Sequence, residues 1–166
     1  MTRIIALRSG GQSGADRGAM DAARKYNVPI EGWCPKGGWA EDLTKPPGLL
    51  AIFPEMVETP DSKVIQRTEW NIRDSDCCIA LDTATSDVSP GTGAGYEFYD
   101  KYSVPFRVFY LGDEDTYDHQ IAEISEWLSV FDRDVVLGVG GPRASEYPGI
   151  YDIAKRITCE LLDKFA

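Results

Sequence analysis

The sequence predicts an α/β fold, a doubly wound parallel sheet of about five strands with helices on both faces. Short and nearly continuous apolar runs recur along the chain, which is typical of parallel strands buried on both sides. Amphipathic stretches of helical period separate most of these runs, and this alternation indicates βαβ units. The 166 residues, of which 43% are apolar, are enough for one domain with its own core. We therefore expect a single domain over residues 1–166.

Five apolar runs are the predicted strands, and polar or glycine-containing segments flank each of them. In chain order they are Ile4–Leu7, Val28–Ile30, Cys77–Leu81, Phe106–Leu111 and Val135–Val139. Right-handed crossovers lead us to expect the strand order 2-1-3-4-5. The first and third strands would then flank the switch point, where ligands bind beyond the carboxyl ends of the strands.

Five amphipathic segments are the predicted helices. In chain order they are Ala15–Tyr26, Ser62–Arg73, Gly95–Tyr102, Thr116–Phe131 and Gly149–Phe165. The stretch from Trp33 to Thr59 is rich in Pro and Gly and follows neither period. We expect it to be a long irregular loop, and loops of this length are usually functional.

The charge balance excludes one class of partner. Seventeen basic residues against 27 acidic ones give a net charge of −10, whereas non-specific nucleic-acid binding depends on an excess of Lys and Arg.

No apolar run approaches membrane-spanning length, and no signal segment opens the chain. The four cysteines form no C-x-x-C pair, so we interpret them as reduced thiols of a cytoplasmic protein, without a metal site.

The segment Arg8–Arg17 follows the first strand and opens the first helix. This arrangement directs backbone N–H groups at the helix N-terminus towards one point, which favours an anion such as phosphate. The candidate ligand-binding residues of this phosphate cradle are Gly10, Gly11, Gln12, Ser13, Gly14, Asp16 and Arg17. The glycine spacing matches neither the dinucleotide fingerprint nor the P-loop, so a simple connecting turn stays an alternative.

Three further loops are expected at the same edge of the sheet. The loop after the second strand contributes Lys36, and the loop after the fifth contributes Arg143. The loop after the third strand again precedes a helix and offers a second anion site. Its candidate residues are Pro90, Gly91, Thr92 and Gly93.

Helical spacing places Arg67, Asn71 and Asp74 along one face of the helix before the third strand. We expect these three side chains to contact the ring or sugar of a bound ligand. A hydrated helix face is the alternative interpretation, because charged side chains are most often exposed.

Long segments of the chain, in order, resemble the putative molybdenum carrier family. They are Ser9–Arg17, Gly32–Gly37 with Ala40–Asp42, Arg67–Asp76 and Gly140–Glu146 with Pro148–Tyr151. The resemblance implies a Rossmann-like fold of the lysine-decarboxylase-like SLOG superfamily, and a carrier function rather than catalysis. It further implies molybdenum cofactor (molybdopterin) as a ligand, with an unidentified nucleotide as the alternative, a homo-oligomer, and molybdoenzymes as recipients.

A relative in the same superfamily suggests an enzymatic alternative. Cytokinin-activating phosphoribohydrolases use an arginine and a glutamate to cleave the N-glycosidic bond of a nucleoside monophosphate. By resemblance, Arg67 and Glu97 would be the catalytic pair in this chain. A ligand sensor without turnover is the third possibility.

Overall fold

The computed structural model describes all 166 residues, and five parallel strands form its main sheet. They are β1 (Arg3–Arg8), β2 (Ile30–Glu31), β5 (Cys77–Asp82), β6 (Phe106–Tyr110) and β7 (Asp134–Gly140), while β3 (Trp33–Cys34) and β4 (Val57–Glu58) form a separate small sheet. The strands of the main sheet lie in the order β2-β1-β7-β5-β6. The predicted α/β class and parallel sheet are confirmed.

Five helices cover the two faces of this sheet. They are α1 (Ala15–Lys25), α2 (Val64–Arg73), α3 (Pro90–Tyr102), α4 (Tyr117–Ser129) and α5 (Ile150–Phe165). Alternate residues of β5 belong to different apolar clusters, because successive side chains of a strand point to opposite faces. Cys77 and Ile79 pack in the large cluster with α1, α4 and α5. Cys78 and Ala80 pack in the smaller one with α2 and α3.

The predicted strand order is wrong in one respect: the fifth predicted strand, β7, lies between β1 and β5. Its apolar run of Val135–Val139 is almost fully buried, as a central strand requires. Strand β6 carries exposed Arg107 and Tyr110 and forms one edge of the sheet. The loop after β7 therefore lies at the centre of the carboxyl edge rather than at its far side.

Helix α3 begins at Pro90, five residues before the predicted start at Gly95. The Ser89 side chain accepts a hydrogen bond from the Thr92 amide and caps the helix, with Pro90 at the first helical position. Local capping therefore outweighs the low helix propensity of the glycines that follow. The other predicted elements are present, with ends displaced by one or two residues.

The stretch between Trp33 and Thr59 is more ordered than the predicted loop. It contains a second, two-stranded parallel sheet of β3 (Trp33–Cys34) and β4 (Val57–Glu58), and a 3₁₀ turn at Gly48–Ala51. Several of its apolar side chains, Leu49, Phe53 and Met56 among them, are buried in the main core. We refer to residues 33–59 as the lobe. None of the helices combines the length and the apolar character that crossing a membrane requires.

Candidate functional site

A cavity of about 100 Å³ lies at the carboxyl ends of β1, β5 and β7, closed on one side by α2 and α3. Its charged lining consists of three arginines, Arg8, Arg67 and Arg143, and two carboxylates, Asp16 and Glu146. The lining is therefore locally basic in a protein of net charge −10. Such a local excess of positive charge favours an anionic ligand against the field of the whole molecule.

A buried ion pair forms the inner wall of the cavity. Arg67 Nη1 donates to Asp16 Oδ2 at 3.1 Å, and both side chains are 8% exposed. A Cβ atom at position 10 would lie 1.8 Å from Arg67 Nη1, so a larger residue there would displace this guanidinium from its place beside Asp16. Burial raises the pKa of Asp16, and the neighbouring guanidinium opposes that rise. Burial likewise lowers the pKa of Arg67, and the charge of Arg143 lowers it further.

Two guanidinium groups that share one cavity, those of Arg67 and Arg143, repel each other, and an anion between them would relieve this repulsion.

The side-chain amide of Gln12 has a fixed orientation. Its Oε1 accepts hydrogen bonds from the backbone amides of Ser13 at 3.0 Å and Glu41 at 2.9 Å. Backbone N–H groups only donate, so the oxygen must face them and Nε2 must face the other way. Gln12 Nε2 has no hydrogen-bond partner, and neither do Arg67 Nε and Arg8 Nε, which belong to the same lining. Buried donors without an acceptor are rare in proteins and require an explanation.

The loop after β7 and the N-terminus of α3 form the opposite wall. Glu146 joins them, since its Oε1 accepts from the Arg143 amide at 2.9 Å and from Ser89 Oγ at 3.1 Å. The Arg143 guanidinium forms no ion pair, and its Cζ lies 5.3 Å from the centre of the Trp39 ring. Tyr99, 6% exposed, lines the cavity from α3. This wall therefore carries one guanidinium without an ion pair, that of Arg143, beside the carboxylate of Glu146.

The predicted phosphate cradle is largely occupied by the protein's own groups. Asp16 Oδ2 accepts from the Gln12 amide at 3.2 Å, and Glu41 accepts from the hydroxyls of Ser13 and Ser145. These hydrogen bonds lower the pKa of Glu41. Gly14 has a φ of +83° and contacts the backbone of residues 142–144 so closely that a Cβ atom would overlap it. The carboxylates of Asp16 and Glu41 therefore accept hydrogen bonds from groups predicted to bind a ligand phosphate.

The other predicted residues divide into those that line the cavity and those that do not. Gly10, Gln12, Asp16, Arg67, Asn71, Gly91, Thr92 and Arg143 line it. Gly11 faces Leu49 and Met56 of the lobe. Arg17 is paired with Asp42, and Lys36 is exposed. Ser13, Gly14, Pro90 and Gly93 lie outside the lining.

The predicted polar face of α2 is used within the protein. The Asn71 amide donates to the Trp33 carbonyl at 2.9 Å and accepts from its amide at 2.8 Å. Asp74 accepts from Trp33 Nε1 at 2.8 Å and from Arg73. These contacts hold α2 against β3, and they leave Arg67 as the residue of that face at the inner end of the cavity.

Glu97 is exposed on α3, has no side-chain partner and does not line the cavity. The structure therefore does not bring it together with Arg67. Two further residues of the lining, Tyr99 and Glu146, are not among the residues predicted from the sequence. Tyr99 has the spacing of a core residue, but the Glu146 signal was available, because an acid three residues after Arg143 can bond back to its amide.

Comparisons with known proteins agree with this architecture. The family model of the Circularly permutated YpsA SLOG family matches residues 7–162. The crystal structure of a putative molybdenum carrier protein from Syntrophus aciditrophicus SB is similar, with 31% identity and a TM-score of 0.81. The similarity covers 96% of this chain and 94% of that one. No curated protein matches.

Proposed function

The chain belongs to the circularly permuted YpsA SLOG family, and from this premise we propose that it binds a phosphorylated pterin or nucleotide. Molybdenum cofactor is the first candidate ligand, because the similar solved structure is named a molybdenum carrier protein. A carrier holds its ligand and releases it unchanged, so the site needs hydrogen-bond donors and charge rather than a nucleophile.

The single observation that carries this proposal is the surplus of donors in the cavity. Gln12 Nε2 and Arg67 Nε are buried without acceptors, and Arg143 has no carboxylate partner among the ion pairs. Guanidinium groups bind phosphate with paired, charge-assisted hydrogen bonds. We assign the phosphate to the mouth of the cavity, between Arg143 and the first turn of α3 at Gly91 and Thr92.

The chemistry of the lining fits the organic part of molybdenum cofactor. Amide, guanidinium and hydroxyl groups complement phosphate oxygens and the polar edge of a pterin. Pockets for ligands of this size measure about 300–1,000 Å³, so a cavity of about 100 Å³ encloses one end of the molecule. The remainder would extend through the mouth, past Arg143 and Trp39. The cofactor itself would supply the molybdenum and its sulfur ligands.

The phosphoribohydrolase alternative receives less support. Cleavage of an N-glycosidic bond requires a carboxylate beside the oxocarbenium-like centre, and exposed Glu97 lies away from the cavity. A ligand sensor without turnover would use the same site as a carrier. Transfer of the ligand to a molybdoenzyme is what separates these two roles.

Co-elution of pterin with the protein tests the proposal. The purified protein is incubated with molybdenum cofactor, passed through gel filtration, and assayed for pterin fluorescence after oxidation. We expect nearly one pterin per chain, and the elution volume also measures the homo-oligomer we propose. Without retained pterin, in the presence of intact cofactor, molybdenum cofactor is excluded as the ligand, and a panel of nucleotides decides between the remaining ligands.

A further inference from the structure

The inner end of the cavity has a defined hydrogen-bonding pattern. Gln12, 4% exposed, presents an amide nitrogen whose orientation is fixed by the two backbone donors on its oxygen. Arg67, 7% exposed, presents Nε without a partner, while its Nη1 is held by Asp16. These two buried nitrogens, Gln12 Nε2 and Arg67 Nε, therefore need an acceptor that the protein does not provide.

Asp16 provides the matching acceptor. Its Oδ2 accepts hydrogen bonds from Arg67 Nη1 and from the backbone N–H of Gln12. Its other oxygen, Oδ1, takes part in neither of these two bonds. Oδ1 lies on the side of Gly140, where a Cβ atom would be 3.9 Å away. The hydroxyl of neighbouring Ser9 lies close enough to lower the pKa of Asp16, but its one proton is directed at the Val139 carbonyl, 2.7 Å from the hydroxyl oxygen. The inner wall thus offers two donor nitrogens and one acceptor oxygen from three side chains, those of Gln12, Arg67 and Asp16.

We propose, on the premise that the cavity binds a phosphorylated heterocycle, that this inner wall selects a lactam edge, meaning a ring carbonyl next to a ring N–H. The carbonyl oxygen has two lone pairs and accepts from both Gln12 Nε2 and Arg67 Nε, while the ring N–H donates to Asp16 Oδ1. Oxopurines and oxopterins carry this edge. The heterocycle enters first, and the phosphate stays at Arg143 in the mouth.

The size of the cavity agrees with a ring at this position. A water-sized group needs about 10–15 Å³ of such space, so about 100 Å³ holds roughly seven to ten atoms. A phosphate at the inner end is disfavoured, because Asp16 already places a carboxylate there. The Asp16 carboxylate favours binding only of a ligand that donates a hydrogen bond to it.

An aminopyrimidine edge, as in adenine, satisfies fewer of these groups. Its exocyclic amine can donate to Asp16 Oδ1, but its ring nitrogen has one lone pair and accepts from one donor only. One buried N–H group would stay unpaired, which corresponds to about a tenfold or larger loss of affinity. The inner wall therefore discriminates two rings of nearly the same shape.

Calorimetric titration of the wild-type protein with matched ligand pairs tests the proposal. Inosine monophosphate and adenosine monophosphate differ only in the lactam edge, as do 6-hydroxymethylpterin phosphate and its 2,4-diamino analogue. We expect the lactam member of any pair that binds to bind about ten times more tightly or better. Equal affinities, or preference for the amino member, would overturn the lactam assignment and leave the proposed function intact. Absence of binding by all four probes would also overturn the lactam assignment, and the co-elution experiment with molybdenum cofactor decides the proposed function separately.

The variant Gln12→Glu provides a matched control for the role of Gln12. One carboxylate oxygen continues to accept from Ser13 and Glu41, and the other replaces the Nε2 donor with an acceptor. We expect the preference for the lactam member to fall at least about tenfold, and the added charge cancels in the ratio of the two affinities. An unchanged ratio in a variant that unfolds at the wild-type temperature would overturn the assignment of Gln12. The wild-type ratio decides the proposal by itself if the variant does not fold.

Discussion

At the scale of single residues, the site depends on which charges are already paired. Arg67 is buried against Asp16, and Arg8 bonds to Glu31 and to the Asp74 carbonyl. Arg143 is the cavity arginine without an ion pair, so its charge is available to a ligand at little cost. The sequence placed all three arginines near the loops. It could not show their partners, because Asp16 and Arg67 are 51 residues apart.

The variant Arg143→Met is expected to bind a phosphorylated ligand about ten to a hundred times more weakly, because a charge-assisted contact to phosphate is lost. Its free energy of unfolding should stay within about 0.5 kcal/mol of wild type, since no ion pair is broken. Titration calorimetry and urea denaturation measure the two quantities. Arg107→Met on the edge strand removes the same charge away from the cavity and should leave affinity unchanged. An equal loss of ligand affinity in both variants would show that affinity depends only on the net charge of the protein and not on the position of Arg143.

The variant Asp16→Asn should destabilise the fold by about 3–5 kcal/mol, because it leaves the Arg67 charge buried without its partner. Asp42→Asn is the matched control, since it removes the carboxylate of the Arg17 pair, and Asp42 is 47% exposed. That loss should not exceed about 1 kcal/mol. Urea denaturation compares the two variants, and equal losses would contradict a buried, mutually dependent pair.

At the scale of elements, one carboxylate joins three loops around the site. Glu41 in the lobe bonds to Ser13 before α1 and to Ser145 in the loop after β7. The sequence predicts that the loop before α1 directs donors at a ligand anion, whereas the Ser13 hydroxyl of that loop donates to a carboxylate of the protein. That this anion is the protein's own glutamate could not be predicted, because it comes from 28 residues further along the chain.

The stability of the protein should therefore fall in mild acid through Glu41. Its pKa in the folded state is lowered from 4.5 by the serine hydrogen bonds. A lowered carboxylate pKa stabilises the fold above the unfolded value, and this contribution disappears as the pH falls through the folded-state value. We expect the difference in melting temperature between wild type and Glu41→Gln to shrink as the pH falls below 4.5. A difference independent of pH would exclude this role for the Glu41 carboxylate.

At the scale of the whole molecule, the order of the strands along the chain is a circular permutation of the order found in nucleotide-binding Rossmann domains. If β7 and α5 preceded β1, the same sheet would read 3-2-1-4-5, the order of the first strands in nucleotide-binding Rossmann domains. The alternation of strands and helices, which the sequence predicted, is the same in this chain and in one that would begin with β7 and α5. The central position of β7 was harder to infer, although its unbroken apolar run contrasts with Arg107 in β6.

A permuted chain should therefore fold to the same structure. Joining Ala166 to Met1 by about eight Gly and Ser residues spans roughly 15 Å, and the chain is opened between Phe131 and Asp132, beyond the end of α4. We expect a cooperative transition and retained ligand affinity, with a loss of at most about 2 kcal/mol. Circular dichroism and calorimetry measure these properties. A permutant opened between Leu137 and Gly138, inside β7, should not fold.

The central position of β7 also has a consequence for synthesis on the ribosome. Strands β1 and β5 each pair with β7 and not with each other. During translation the sheet therefore exists as two separate halves, β1 with β2 and β5 with β6, until the final strand emerges. Isolated pairs of strands are marginally stable, so the nascent chain exposes apolar strand edges until β7 has been synthesised. We expect the domain, with its ligand cavity, to form only after β7 has emerged from the ribosome, and chaperones that hold incomplete sheets to bind the chain until then.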